Sequence, residues 1–100
     1  MDVAFHRLVP RDLRTALSYY EREGGSTLAD RFFLEVEQCI ERIHHRPDGH
    51  HFSEGGYRRA SLKTFPYHIL YEVDFYGIWI AILRYDRRHP NYGLRRQKRS

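Results

Sequence analysis

A single cysteine, Cys39, leaves no internal disulfide to be formed, so the fold cannot rest on a covalent framework. Methionine and tryptophan each occur once and proline four times, so neither a Met-rich binding surface nor a proline-rich linker is present. No apolar run approaches the roughly 18 residues that a membrane span requires. The segment from Met1 to Pro10 has scattered charge where a secretory signal would have an apolar stretch. These absences lead to the expectation of a cytoplasmic protein that does not engage a membrane. They also leave a chain of 100 residues, 41% hydrophobic and 15% aromatic, which is enough to build one core and too little for two.

The charge is unevenly placed. From Met1 to Gly56 there are seven Lys and Arg against ten Asp and Glu, and from Tyr57 to Ser100 ten against three. A basic half on a polar chain suits a polyanionic partner, either nucleic acid or an acidic protein. Arg95 to Arg99 also read as a solvated basic tail, so that residues 1–92 form the domain and 93–100 its extension. That reading leaves Arg58, Arg59, Lys63, Arg84, Arg87 and Arg88, which fall in or beside expected strands.

Alternating apolar residues from Val3 to Leu8 suggest a short strand, ended by Pro10. Leu13, Ala16, Leu17 and Tyr20 then recur at helical spacing, and Gly24-Gly25 closes that helix. Ser26 and Thr27 are natural N-caps. A second helix is expected from about Leu28 to His45, with Phe32, Val36, Ile40 and Ile43 on its apolar face. The two should form an antiparallel hairpin packed on a sheet. Arg46-Pro47-Asp48-Gly49 opens a loop to about Gly56. Three strands follow, at Tyr57 to Lys63, Tyr67 to Val73 and Ile78 to Tyr85, with Asp74 to Gly77 as a turn. In the last strand, Ile78, Ile80 and Ile82 are expected on one face, and Trp79, Ala81 and Leu83 on the other. Both faces are apolar, which makes that strand central. The expected fold is α+β, ordered β-α-α-β-β-β, an antiparallel sheet with the helical hairpin on one face.

The run Arg58-Arg59-x-x-Leu62-x-x-Phe65-Pro66-Tyr67-x-Ile69-x-Tyr71-x-Val73 resembles the central signature of the RelE/ParE toxins of type II toxin–antitoxin systems. Ile80 to Tyr85, followed by Arg87, Arg88 and Pro90, is similar to the last strand and basic exit of that family. Tyr19-Tyr20, Leu28-Ala29-x-Arg31-Phe32 and Ile43-x-x-x-Pro47 resemble its helical hairpin. The match spans about Ala4 to Pro90. It implies a toxin neutralised by a cognate antitoxin, with the two forming a hetero-oligomer, and no cofactor or metal.

Two targets are open at this point. ParE-like members poison DNA gyrase, while RelE-like members cut mRNA in the ribosome without a metal. Cleavage needs a base for the 2′-OH proton, cations for the pentacovalent phosphate and an acid for the leaving oxygen. By resemblance, Arg59, His68 and Tyr92 fall where a nuclease would carry such groups. Ser61, His68 and Asp86 depart from the expected cations, so the set is partial, and the Phe65-Pro66-Tyr67 segment and Arg-Arg-x-Pro ending look ParE-like. For either target, Arg58, Arg59, Lys63, Arg84, Arg87 and Arg88 are the candidate binding residues. A bland reading stands beside each of these: arginines at strand ends are commonly solvated, and His68, Tyr67, Tyr71 and Tyr85 suit sheet packing. His44-His45 and His50-His51 lack the carboxylate or cysteine that would complete a metal-ligand spacing. A basic second half also suits a nucleic-acid-binding regulator with no toxic activity.

Overall fold

The computed structural model describes residues 1–98. Its elements are β1 (Val3–Phe5), α1 (Val9–His45), a 3-10 turn (Glu54–Gly56), β2 (Arg58–Ser61), β3 (Tyr67–Asp74) and β4 (Gly77–Tyr85). Arg99 of the expected tail and Ser100 lie outside the described residues.

α1 is broken where the sequence places two glycines. Gly24 sits at φ −149° and Gly25 at φ 78°, ψ −175°, neither of which continues a helix. A straight helix of this length would reach about 55 Å, yet the longest dimension of the molecule is 40 Å. The two arms therefore fold back on each other as a hairpin. Tyr20 on the first arm stacks 5.0 Å from Phe32 on the second, and both meet Phe65 in the loop after β2. Pro10 lies in the first turn, where its missing N–H costs nothing, and Pro47 follows the last.

The sheet runs in the order β1-β4-β3-β2. β2, β3 and β4 are antiparallel neighbours, and β4 is interior, as its two apolar faces require. β1, however, lies parallel to β4, with Val3 opposite Ile78 and Phe5 opposite Ile80, so the sheet is mixed where an antiparallel one was expected. Apolar alternation shows that a segment is a strand but carries no direction. Here the long crossover through α1 returns the chain to the far edge, and that sets the parallel sense. β1 is also shorter than expected, because the chain turns away at His6 after its N–H bonds Ile80 O at 2.9 Å.

One face of the sheet packs under the helical arms, with Ile69, Tyr71, Ile78, Ile80 and Leu83 in the same cluster as Phe32, Val36 and Ile43. The opposite face holds a smaller cluster of Tyr57, Leu70, Trp79, Ala81 and Ile82. This division corrects the expected faces of β4. Leu70 pairs with Ile82 but Tyr71 pairs with Ile80, leaving Ala81 as an extra residue in a β-bulge. The bulge reverses the alternation, so Ile82 leaves the helical face and Leu83 joins it.

The segment after β4 covers the second cluster rather than trailing into solvent. Tyr92 and Leu94 pack against it. Arg96, expected in a solvated tail, is buried in a bidentate pair with Asp12 at 2.7 and 2.9 Å, and it donates to Ala81 O at 2.9 Å. Asp12 in turn accepts the N–H of Leu83. This pair satisfies the edge of β4 beyond the end of β1, where backbone groups would otherwise be buried without partners.

Candidate functional site

On the face turned away from α1, strand register sets the neighbours. Arg59 lies opposite Leu70, Ser61 opposite His68, and His68 opposite Arg84. Arg84 is only 3% exposed and His68 1%. A guanidinium buried this deeply must find acceptors for its N–H groups, and Arg84 finds four. Nε donates to His68 Nε2 at 2.8 Å. Nη1 donates to the carbonyls of Pro90 and Tyr92 at 3.0 and 2.9 Å. Nη2 pairs with the Glu54 carboxylate.

Because Nε2 of His68 accepts from Arg84, its proton sits on Nδ1, which donates to Asp86 Oδ1 at 2.7 Å. Burial above all lowers the His68 pKa, with Arg59 and Arg84 adding to the effect and Asp86 opposing it. Arg59 reaches the same Asp86 oxygen at 3.4 Å. At the other end, Glu54 is held down to about 2, first by the Ser53 hydroxyl, then by its own backbone N–H and by Arg84. Glu54, Arg84, His68, Asp86 and Arg59 thus form one chain across the sheet, with two carboxylates, two guanidiniums and a neutral imidazole.

The remaining candidates are dispersed. Arg58 points to the helical side, where it donates to His50 O at 2.8 Å and covers the Phe52 ring at 4.1 Å, pinning the loop before β2. Lys63 is exposed beyond the end of β2, beside an open cavity also bounded by Arg42, His45 and Arg46. Arg87 and Arg88 are exposed just past β4, and the Arg88 guanidinium lies 4.3 Å over the Tyr92 ring. Arg84, a candidate for contact with a target, is instead enclosed and fully engaged. The paired histidines also part: His44 Nε2 meets Met1 O at 2.9 Å and His50 Nδ1 meets the Tyr71 hydroxyl at 3.0 Å.

Proton transfer at a phosphodiester needs a titratable group open to substrate and cations with charge to spare. On this face both histidine nitrogens are engaged, Arg84 is offset by Glu54 and Arg59 by Asp86. Sequence reasoning missed Glu54 and Asp12, each paired with an arginine far away along the chain. The local signal for Glu54 is an acid set directly against Gly55-Gly56.

Residues 3–91 match the family described as the ParE toxin of the type II toxin–antitoxin system parDE. Among solved structures, the chain is similar to the chromosomal ParDE toxin–antitoxin system from P. aeruginosa, with a TM-score of 0.77 and 19% identity. That alignment covers 85% of this chain and 95% of the other, and at such identity the likeness is one of fold. No curated protein sequence matches the chain.

Proposed function

Since this chain belongs to the ParE toxin family of type II toxin–antitoxin systems, we propose that it arrests growth by binding DNA gyrase, and that it does not cut RNA. The observation that carries this reading is the bond from Arg84 Nε to His68 Nε2. It takes the His68 imidazole, whose pKa burial lowers, and locks it as a neutral, buried acceptor. The Arg84 guanidinium beside it is consumed in the same bond and in its pair with Glu54, and Arg59, the cation of the nuclease set, is offset by Asp86.

Of the candidate cations, Lys63, Arg87 and Arg88 remain exposed, and Arg87 and Arg88 stand side by side on the exit from β4. They are placed for charge-assisted contacts to an acidic surface on gyrase or to its DNA. The toxin acts in the cytoplasm and is neutralised by a cognate antitoxin. An acidic antitoxin segment that folds on binding suits the surface left open here, which includes the exposed Phe33 and Leu34 on the second arm of α1 and the basic exit.

The test is a gyrase supercoiling assay with the purified chain, run beside mapping of messenger ends after brief induction. Inhibited supercoiling with intact messenger is expected. Replacing Arg87 and Arg88 by Glu should abolish inhibition while each change costs less than about 0.5 kcal/mol of stability. Early messenger cleavage with unaffected gyrase would overturn the proposal.

A further inference from the structure

The segment that leaves β4 is tied down on both sides of its exposed residues. On entry, Asp86 N–H donates to Pro66 O at 2.8 Å, and the Asp86 carboxylate accepts from His68 at 2.7 Å and from Arg59 at 3.4 Å. On exit, the carbonyls of Pro90 and Tyr92 accept from Arg84. His68 and Arg84 are cross-strand partners joined by their own 2.8 Å bond, so one buried pair holds both ends of the loop. Between the ties, Arg88 N–H closes a turn onto Tyr85 O at 3.0 Å and Asn91 N–H meets His89 Nδ1 at 3.1 Å.

Stability alone does not account for this pair. Leu70 and Ile82, the adjacent partners on the same face, show that the sheet accepts apolar side chains there. Buried ionic groups are seldom better stabilisers than apolar residues of similar volume. What polar atoms supply and leucines cannot is a fixed attachment for the neighbouring backbone. A loop whose arginines are already ordered also loses less conformational entropy when it binds.

We propose that His68 and Arg84 are positioning residues for the loop that meets the target. Acting through Asp86, Pro90 and Tyr92, they hold Arg87 and Arg88 in the binding conformation. This rests on the reading that Arg87 and Arg88 contact the target, and its test uses a readout independent of what that target is.

The variants are His68→Leu, which keeps bulk but loses donor and acceptor, and His68→Gln, which keeps one of each. Nitrogen-15 relaxation on the free full chain reads the amides of Arg87 to Asn91, and titrated expression reads growth arrest. In His68→Leu, order parameters in the loop should fall from the rigid range near ~0.85 to below ~0.6 while those of β3 and β4 hold. Potency in growth arrest and in gyrase inhibition should drop about tenfold, as re-ordering two arginine side chains entails. His68→Gln should restore both. If His68→Leu does not fold, Asp86→Ala, which releases only the entry tie at a part-exposed site, carries the same comparison. A loop that stays ordered in the variant overturns the proposal, as does a loosened loop with undiminished growth arrest. Failure of the wild-type chain to inhibit gyrase would refute the target reading alone, and the loop and growth measurements would still decide this one.

Discussion

Arg84 Nε and His68 Nε2 sit 2.8 Å apart as cross-strand partners, which leaves no room for a proton on that histidine nitrogen. Protonating His68 would place a second donor against a buried guanidinium. His6 and His50 also have lowered pKa values, with burial the foremost cause in both. A histidine depressed in the fold takes up protons more readily when unfolded. The unfolded chain therefore binds more protons just below the ordinary histidine value near ~6.5, and stability rises with pH through that window. Thermal melts should show a nearly constant Tm above about pH 7 and a falling one from pH 7 to 5. Glu54 and Glu35, whose pKa values are also lowered, lose their contribution only in stronger acid. A Tm that stays flat or rises between pH 7 and 5 would contradict the neutral, enclosed state of these imidazoles.

The Arg96–Asp12 pair gives a sharper test of the packed C-terminal segment. Both side chains are more than nine-tenths buried. Arg96→Ala strands the Asp12 carboxylate and the carbonyl of Ala81, and breaking a buried pair in this way costs about 3–5 kcal/mol. Arg95→Ala, at the exposed neighbouring position, should cost less than about 0.5 kcal/mol. Urea titrations of the two variants should differ accordingly, and equal midpoints would mean that the segment does not seat on the sheet.

Gly25 separates backbone strain from crowding. A Cβ there would meet nothing within 4 Å, yet the residue sits at φ 78°, ψ −175°. That region is open essentially to glycine alone, so Gly25→Ala should cost about 1–3 kcal/mol with no clash to blame. Denaturant unfolding of Gly25→Ala reads this cost, and a neutral result would mean that the arms of α1 join in some other conformation.

Cys39 should be inert in the folded protein. It is fully enclosed, and burial pushes its thiol up to about 11, so almost no thiolate forms near neutrality. A chromogenic disulfide reagent should react only at the rate of unfolding and at full stoichiometry in denaturant. Rapid labelling of the native chain would refute this placement.

Much of the architecture was legible because local chemistry dictates it. Gly24-Gly25 after an apolar helical stripe gives a hairpin, and a strand apolar on both faces, as β4 is, must be interior. What the sequence concealed depends on distant contacts. Ala81 bulges in a stretch where both faces are apolar, so a reversed alternation leaves no trace in the pattern. An arginine at a strand end reads as solvated, and only the fold shows that Glu54 and two backbone carbonyls enclose Arg84. The same holds for Arg96, whose partner Asp12 lies near the other end of the described chain. At the site, resemblance singled out Arg59, His68 and Tyr92 and marked Asp86 as a departure, but that Asp86 meets both Arg59 and His68 became visible only with their geometry.

The parallel pairing of β1 with β4 has a consequence for how quickly the chain reaches its final state. β3 and β4 meet across a two-residue turn, and the arms of α1 meet across two glycines, so both contacts can form early and locally. Val3 finds Ile78 only after nearly the whole intervening chain has been laid down, and closing so large a loop is entropically costly until the rest of the sheet exists to receive it. β1 should therefore be the last strand to dock and the first to open. On that order, a chain with β1 undocked should present a bare edge of β4, a surface that the finished fold conceals.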